Sequence, residues 1–146
     1  MKTKYYKNWQ TIEKTGLSDE EIEKLIEACI MTHSNFLSIG LACGIRAAFR
    51  MLGEMGGDRA KHTVDFVKIK ANHCVGIAFA VICCCDPFIE GKIIFEPNRD
   101  PDWIVEGSGE NGTVTIKMKD SEFSDGRAAL EAPDSEVFET VEFKRN

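Results

Sequence analysis

The sequence predicts one α+β domain, in which helices pack on a mixed four-stranded sheet in the order α-α-β-α-β-β-β. Three observations support this fold class. Residues 64–96 have the pattern of a strand, a buried helix and a second strand, two amphipathic helical segments precede them, and residues 114–118 alternate apolar with polar side chains. With 146 residues, the chain is long enough to form a single domain, 1–146, around a core of its own.

Composition and charge exclude several classes of function. The 18 basic and 24 acidic residues give a formal net charge of −6, and no basic stripe is interleaved with aromatics, so we expect no nucleic-acid partner. No apolar stretch reaches the ~20 residues of a membrane span, and no apolar leader follows Met1. We therefore expect a soluble, cytoplasmic protein whose six cysteines are reduced thiols.

Two interpretations compete for the central stretch. Large Val75, Ile77 and Phe79 alternate with small Gly76 and Ala78, which is typical of a strand, yet residues 74–85 are also apolar all round like a buried helix. The flanks favour the helix. Residues 63–70 and 92–96 have the composition of strands, and Asn72 can turn the chain and cap the element after it. If these two strands are parallel neighbours, a right-handed crossover joins them.

The first two helices are indicated by their start signals and apolar spacing. Ser18 and Glu21 form a capping box, which begins a helix whose apolar positions lie on one face. A second helix is predicted over about 39–55, with Gly40 and Gly44 allowing another backbone to approach closely. The polar loop 32–38 between them is the first place where side chains could face a ligand. We expect it near the start of the buried helix.

The C-terminal part of the sequence is predicted to form a hairpin and an acidic tail. Residues 103–106 and 113–118 are the two predicted strands of the hairpin, and short helical turns are expected around 127–132 and 135–143. Both chain ends carry unusually apolar side chains for solvated termini. We expect the N-terminal aromatic arm to dock on the domain or on a second copy, and we predict a homodimer. The side chains concerned are Tyr5, Tyr6 and Trp9 in the arm, and Val137, Phe138, Val141 and Phe143 in the tail.

Several motifs resemble the E-subunit family of formylmethanofuran dehydrogenase. The run from Gly40 to Ala48, GLACGIRAA, is similar to the family's G-L-A-x-G-x-R-A-A helix start. Cys74 and Cys85 fall where the family has cysteines, and Gly91-Lys92 followed by Phe95 resembles its G-K-x-x-x-F strand. The match covers roughly residues 33–118. The resemblance implies a metal- or small-ligand-binding accessory protein without catalysis of its own, or a non-catalytic structural subunit of a larger oxidoreductase.

The sequence departs from this family where the family's metal ligands are expected. Family members carry an H-G-H-L-C-P-G segment before the helix, and its positions fall on uncharged residues from Ser34 to Ile39 of this chain. Only His33, displaced by one residue, could replace a histidine, and no paired C-x-x-C ribbon follows at the C-terminus. The sequence thus resembles a divergent relative that has kept the fold and altered the site.

The candidate metal ligands are His33, His73, Cys74 and Cys85. Imidazole and thiolate together suit zinc or another transition metal in tetrahedral geometry. A ten-residue helix is about 15 Å long, so Cys74 and Cys85 at its two ends reach one ion only if the helix is shorter or the site is shared between two copies. The simpler alternative is that Cys83 and Cys84 are small buried hydrophobic residues, that Cys85 caps the element, and that His73 is hydrogen-bonded at a turn.

A thiol-dependent enzyme is the other interpretation of Cys74. A cysteine at the start of a helix is favourably placed to react as a nucleophile. His73 is adjacent in sequence, but consecutive side chains diverge, so the base would have to come from elsewhere in the fold.

Overall fold

A computed structural model describes residues 4–56, 63–86, 88–97, 103–119 and 122–146. Among these residues, five strands form one mixed sheet in the spatial order β2-β1-β3-β4-β5. β1 and β2 are parallel, and the other neighbours are antiparallel. The strands are β1 (Phe66–Lys70), β2 (Ile93–Phe95), β3 (Ile104–Gly109), β4 (Gly112–Met118) and β5 (Phe138–Arg145).

Within the described ranges, five α-helices accompany the sheet: α1 (Asp19–Thr32), α2 (Ile39–Glu54), α3 (Cys74–Ile82), α4 (Gly126–Glu131) and α5 (Asp134–Val137). The predicted capping box of α1 is present, since Ser18 and Glu21 each accept a backbone N–H of the other. Ser38 caps α2 in the same way through the N–H of Leu41. Alternate residues of β4 are buried beneath the helices, which accounts for its period-two pattern.

The central stretch is a helix between two parallel strands, as the flanking residues predicted. Residues 75–81 lie within α3, so the strand interpretation of their alternating sizes is wrong. The N-cap of α3 is His73, whose side chain makes no capping bond, but the Asn72 side chain accepts the N–H of Cys74, so Asn72 serves the first helical amide as predicted. The small residues of α3 serve close packing on its neighbours instead of a strand face.

The helices α2 and α3 run in the same direction and touch along their length. Gly40 contacts Asn72, Gly44 contacts Val75, and the Cys83 thiol reaches the carbonyl of Ala48, so residue numbers rise together along both helices. At Gly44 an added Cβ would lie 2.8 Å from the Cα of Val75. The N-terminal ends of α2 and α3 therefore meet at one end of the helical layer.

The prediction of a four-stranded sheet is corrected to five strands. Residues 138–145, expected to include a helical turn, instead pair antiparallel with β4 and place Phe143 opposite Val114. Only α5 remains of that expected turn, whereas the turn expected around 127–132 is confirmed as α4. The physical reason is the free edge of β4, whose backbone hydrogen bonds outweigh the local preference of this segment.

The N-terminal aromatic arm packs on its own domain. Tyr6 and Trp9 are buried, and the ring of Trp9 lies 5.7 Å from that of Phe49 in α2. Docking of the arm, one of the two outcomes expected from the sequence, is thus satisfied within a single chain. Across the described ranges, no helix is both long and apolar enough to cross a membrane.

Candidate functional site

The structure brings His33 and Cys74 into contact. The Sγ atom of Cys74 lies 3.2 Å from Nε2 of His33, and both side chains are half-buried. Cys74 is the first residue of α3, and His33 directly follows the last residue of α1. The predicted proximity of the polar loop to the start of the buried helix is therefore confirmed, and we call this pair the dyad.

The imidazole ring of His33 is held by the backbone of Phe36. Its Nδ1 atom lies 2.8 Å from the carbonyl oxygen of Phe36, whose own N–H donates to the carbonyl of His33 at 3.1 Å. A carbonyl oxygen only accepts, so Nδ1 carries a proton in this contact. In the neutral ring, Nε2 then presents a lone pair towards the Cys74 thiol.

An unusual backbone turn places the carbonyl of Phe36 next to the His33 ring. Ser34 and Asn35 both have left-handed backbone angles, with φ values of 56° and 59°. Each such residue without the freedom of glycine costs on the order of 1 kcal/mol, and such strain is concentrated at functional sites in proteins. The N–H of Asn35 donates to the carbonyl of Ile30, which ties the turn to the end of α1.

Hydrogen-bond donors lie beside the dyad at the start of α2. The amide of Asn72, which caps Cys74 with its oxygen at 3.2 Å, packs against Gly40, where an added Cβ would lie 2.8 Å from Nδ2. Within the described ranges, the backbone N–H groups of Ile39 and Gly40 have no acceptor. Unpaired donors at a helix N-terminus favour a neighbouring negative charge.

The other two predicted ligands lie apart from the dyad. His73 is exposed, and its ring centroid is 4.3 Å from that of Phe95. Cys85 lies beyond the opposite end of α3, where it is buried with its thiol directed to the carbonyl of Val64. Burial raises the pKa of the Cys85 thiol to about 12, which disfavours the thiolate that a metal requires.

The dyad alone is an incomplete metal site. Among the residues that the structure describes, no group of three or more His, Cys, Asp or Glu side chains converges. A structural zinc site uses about four protein ligands and a catalytic one about three. His33 and Cys74 therefore supply two ligands, and further ligands would have to come from outside these residues.

The remaining cysteines are free thiols, and all of them except Cys84 are more deeply buried than Cys74. Burial raises the pKa of Cys29 to about 12 and that of Cys43 to about 11. Cys83 is buried as well, whereas Cys84 is partly exposed in the turn after α3. Core packing, the alternative predicted for Cys83 and Cys84, is confirmed for Cys83 and wrong for Cys84, which is partly exposed. Cys74 is also partly exposed, and it is paired with His33.

A surface cleft of about 430 Å³ lies at the opposite end of α2. Glu54, Glu110 and Arg145 contribute charges of both signs to its walls, and no cysteine or histidine is among its described lining residues. The described part of the lining thus provides neither a thiol nucleophile nor a soft metal ligand. The dyad at the N-terminal end of α2 is the stronger candidate for chemistry.

Two features of the site were not predicted from the sequence. The sequence indicates His33 as a metal ligand and not as the base for Cys74, and it gives no sign of the orienting carbonyl of Phe36. The available signal was that His33 is the only histidine in the loop expected near the start of α3. The position of the orienting carbonyl depends on the left-handed backbone conformation of Ser34 and Asn35, which no sequence pattern predicts.

No family model matches the sequence, and no curated protein matches it. The resemblance to the E-subunit family consequently stays a prediction from the motifs quoted above.

Proposed function

We propose that the protein is a thiol-dependent enzyme that transfers or hydrolyses acyl groups, with Cys74 as the nucleophile and His33 as its general base. The supporting observation is the 3.2 Å contact between Sγ and Nε2, in a ring whose Nδ1 is held by Phe36. A nucleophile within reach of a base that a third group orients is the usual signature of covalent catalysis.

Each neighbouring group has a role in this mechanism. As Sγ attacks a carbonyl carbon, Nε2 of His33 accepts the thiol proton, and the Phe36 carbonyl stabilises the resulting imidazolium. The imidazolium then returns the proton to the leaving group. Asn72 and the N–H groups of Ile39 and Gly40 are the donors that can stabilise the developing oxyanion.

The second candidate is a metal- or small-ligand-binding accessory protein resembling the E-subunit family of formylmethanofuran dehydrogenase. It is favoured by the same pair, since the imidazole of His33 and the thiol of Cys74 suit zinc or another transition metal. The missing ligands would come from a second copy or from a subunit partner in an oxidoreductase. If the site neither catalyses a reaction nor binds a metal or small ligand, the remaining alternative is a non-catalytic structural subunit of a larger oxidoreductase.

Two proposals concern the setting of the protein. All six cysteines are free thiols, which supports a reducing compartment such as the cytoplasm. The homodimer predicted from the sequence also stays a proposal. The apolar chain ends support it less strongly than expected, because Tyr6 and Trp9 are buried within their own chain and the tail forms β5.

Alkylation kinetics test the proposed enzyme. Iodoacetamide is added to the folded, reductant-free protein near neutral pH, and labelling of each cysteine is followed by peptide mass spectrometry. We expect Cys74 to react first and Cys84 more slowly. The buried thiols should react only after unfolding, because burial raises the pKa of Cys29, Cys43 and Cys85 and shields them. His33→Gln should slow the reaction of Cys74 by about 10²-fold, which is at the low end of general-base contributions.

The matched control is His73→Gln, which removes the histidine adjacent in sequence but outside the dyad. It should leave the rate at Cys74 unchanged. Equal sensitivity to both substitutions, or a Cys74 that reacts no faster than Cys84, would contradict the proposal. Elemental analysis of protein purified without an affinity tag tests the second candidate. A near-stoichiometric metal content that is lost in Cys74→Ser would support the metal-binding accessory protein.

A further inference from the structure

The two segments that build the dyad contain no formally charged residue. Residues 28–45 and 71–85 include no Asp, Glu, Lys or Arg, although such residues make up 29% of the chain. Together these segments contribute the end of α1, the loop with His33 and Phe36, the start of α2 and the whole of α3. They provide no side-chain cation to recognise a carboxylate or phosphate substrate and no anion to recognise an amine.

Apolar side chains are instead exposed around the dyad. The ring of Phe36 stacks on His33 at a centroid distance of 6.2 Å and is 64% exposed. Ile39, the first residue of α2, is also partly exposed beside the unpaired N–H groups. On the other side of His73 lies Phe95, which is 41% exposed and covers Gly76. Covering such surface with an apolar ligand removes it from water and favours binding.

We propose that the dyad acts on neutral acyl groups that carry an apolar chain or ring, with Phe36 as the principal contact for that group. This inference rests on the proposed function and specifies its substrate class. Phe36 suits the role because its backbone orients His33 while its exposed ring stacks on the imidazole of the same histidine. When the carbonyl carbon of a substrate lies next to Sγ of Cys74, its acyl chain would contact the exposed ring of Phe36.

The covalent step follows from the groups present. The Sγ–C bond forms and the ester C–O bond breaks, while the thiol proton passes through Nε2 of His33 to the leaving alkoxide or phenolate. Water then attacks the thioester with His33 again as base, which releases the carboxylic acid and the thiol. Water is the only co-reactant.

p-Nitrophenyl esters of different acyl groups provide the test, since the leaving group stays constant. The acetate, butyrate, hexanoate and succinate monoester are compared, and the release in Cys74→Ser is subtracted as the background. We expect the Cys74-dependent rate to rise by about tenfold from acetate to hexanoate. This increase is smaller than the one expected if all four additional methylenes were fully buried, because the ring of Phe36 is exposed. The succinate monoester has the same carbon number as butyrate but carries a carboxylate, so it should react more slowly.

Substitutions at Phe36 separate the specificity from the chemistry. Phe36→Ala keeps the orienting carbonyl and should bring the hexanoate-to-acetate rate ratio close to one, whereas Phe36→Leu should preserve most of it. Phe88→Ala serves as the control, because this equally aromatic residue is 96% exposed and lies beyond the opposite end of α3. It should leave the ratio unchanged.

The outcomes distinguish the substrate class from the proposed enzyme. Cys74-dependent release with equal rates for all acyl groups, or with the succinate monoester fastest, overturns the substrate class and leaves the enzyme proposal intact. A ratio that is the same in Phe36→Ala as in the unsubstituted protein overturns the role of Phe36. No Cys74-dependent release with any ester contradicts the proposed function itself.

Discussion

At the scale of single residues, Arg46 shows how a motif residue can be structural. Its guanidinium is 1% exposed and donates from one nitrogen to the carbonyls of Ala129, Leu130 and Ala132, at 3.1, 3.1 and 2.7 Å. Its other terminal nitrogen binds Asp134, and the ring of Trp9 covers it. Burial lowers the pKa of Arg46, which Asp134 opposes. The arginine of the resembled motif here joins α2 to the end of α4.

We expect Asp134→Ala to lower the free energy of unfolding by about 3–5 kcal/mol, because it leaves the buried guanidinium without its counter-ion. The same substitution also removes the acceptor of the Gln10 N–H and one of the two acceptors of the Arg50 side chain, which keeps its bond to Glu54. Urea denaturation followed by circular dichroism measures the change. Glu131→Ala, which removes an exposed partner of Arg127, is the control and should cost less than about 0.5 kcal/mol. A loss of less than about 1 kcal/mol in Asp134→Ala would show that the buried cation does not depend on this ion pair.

At the scale of elements, the sequence predicted the features that local patterns determine. The capping box of α1, the helix α3 and the strands on either side of it follow from caps, flanking residues and periodicity within about ten positions. The strand β5 was missed because it forms by pairing with β4, which lies far away in sequence. The site was predicted in part for the same reason. The loop was expected near α3, but the contact between His33 and Cys74 spans 41 positions and depends on how α1 packs.

Two glycines of α2 offer a matched pair of substitutions at the contact with α3. At Gly44 an added Cβ meets the backbone of Val75, which cannot move without separating the helices. We therefore expect Gly44→Ala to lower the free energy of unfolding by about 1–3 kcal/mol, because the clash outweighs the ~1 kcal/mol that alanine gains over glycine in helix propensity. At Gly40 the nearest atoms belong to the Asn72 side chain, which can rotate.

Gly40→Ala should consequently change the free energy of unfolding by less than about 1 kcal/mol. Because it displaces Asn72 from the dyad, it should nevertheless slow Cys74-dependent ester cleavage. Urea denaturation and the ester assay, applied to both variants, measure the two effects separately. If Gly44→Ala proves as stable as the unsubstituted protein, the close packing of α2 on α3 is not a constraint. If Gly40→Ala retains full activity, Asn72 has no part in the reaction.

At the scale of the whole molecule, the exposed apolar surface lies at a different place from the one expected. The arm and the tail are folded into the domain, whereas Phe88 and Ile89 after α3, and Ile94 and Phe95 on β2, are exposed. β2 is an edge strand of only three residues, and its outer backbone groups have no strand beside them among the described residues. Apolar patches at sheet edges are typical association surfaces.

We therefore expect the predicted homodimer to form through the exposed apolar side chains that follow α3, Phe88 and Ile89, and we expect Phe88→Asp to convert it to a monomer. The side chain of Phe88 is 96% exposed, so the substitution removes nothing from the core and should leave the unfolding transition of the monomer unchanged. A carboxylate in an apolar contact between two copies, however, would be desolvated without a partner. Size-exclusion chromatography with light scattering at micromolar concentration gives the molar mass of both proteins.

Thr140→Asp introduces the same charge on the exposed edge strand β5 at the other end of the sheet, and it should remain dimeric. A monomeric unsubstituted protein rules out the dimer, and a dimer that Thr140→Asp dissociates instead would place the interface on β5.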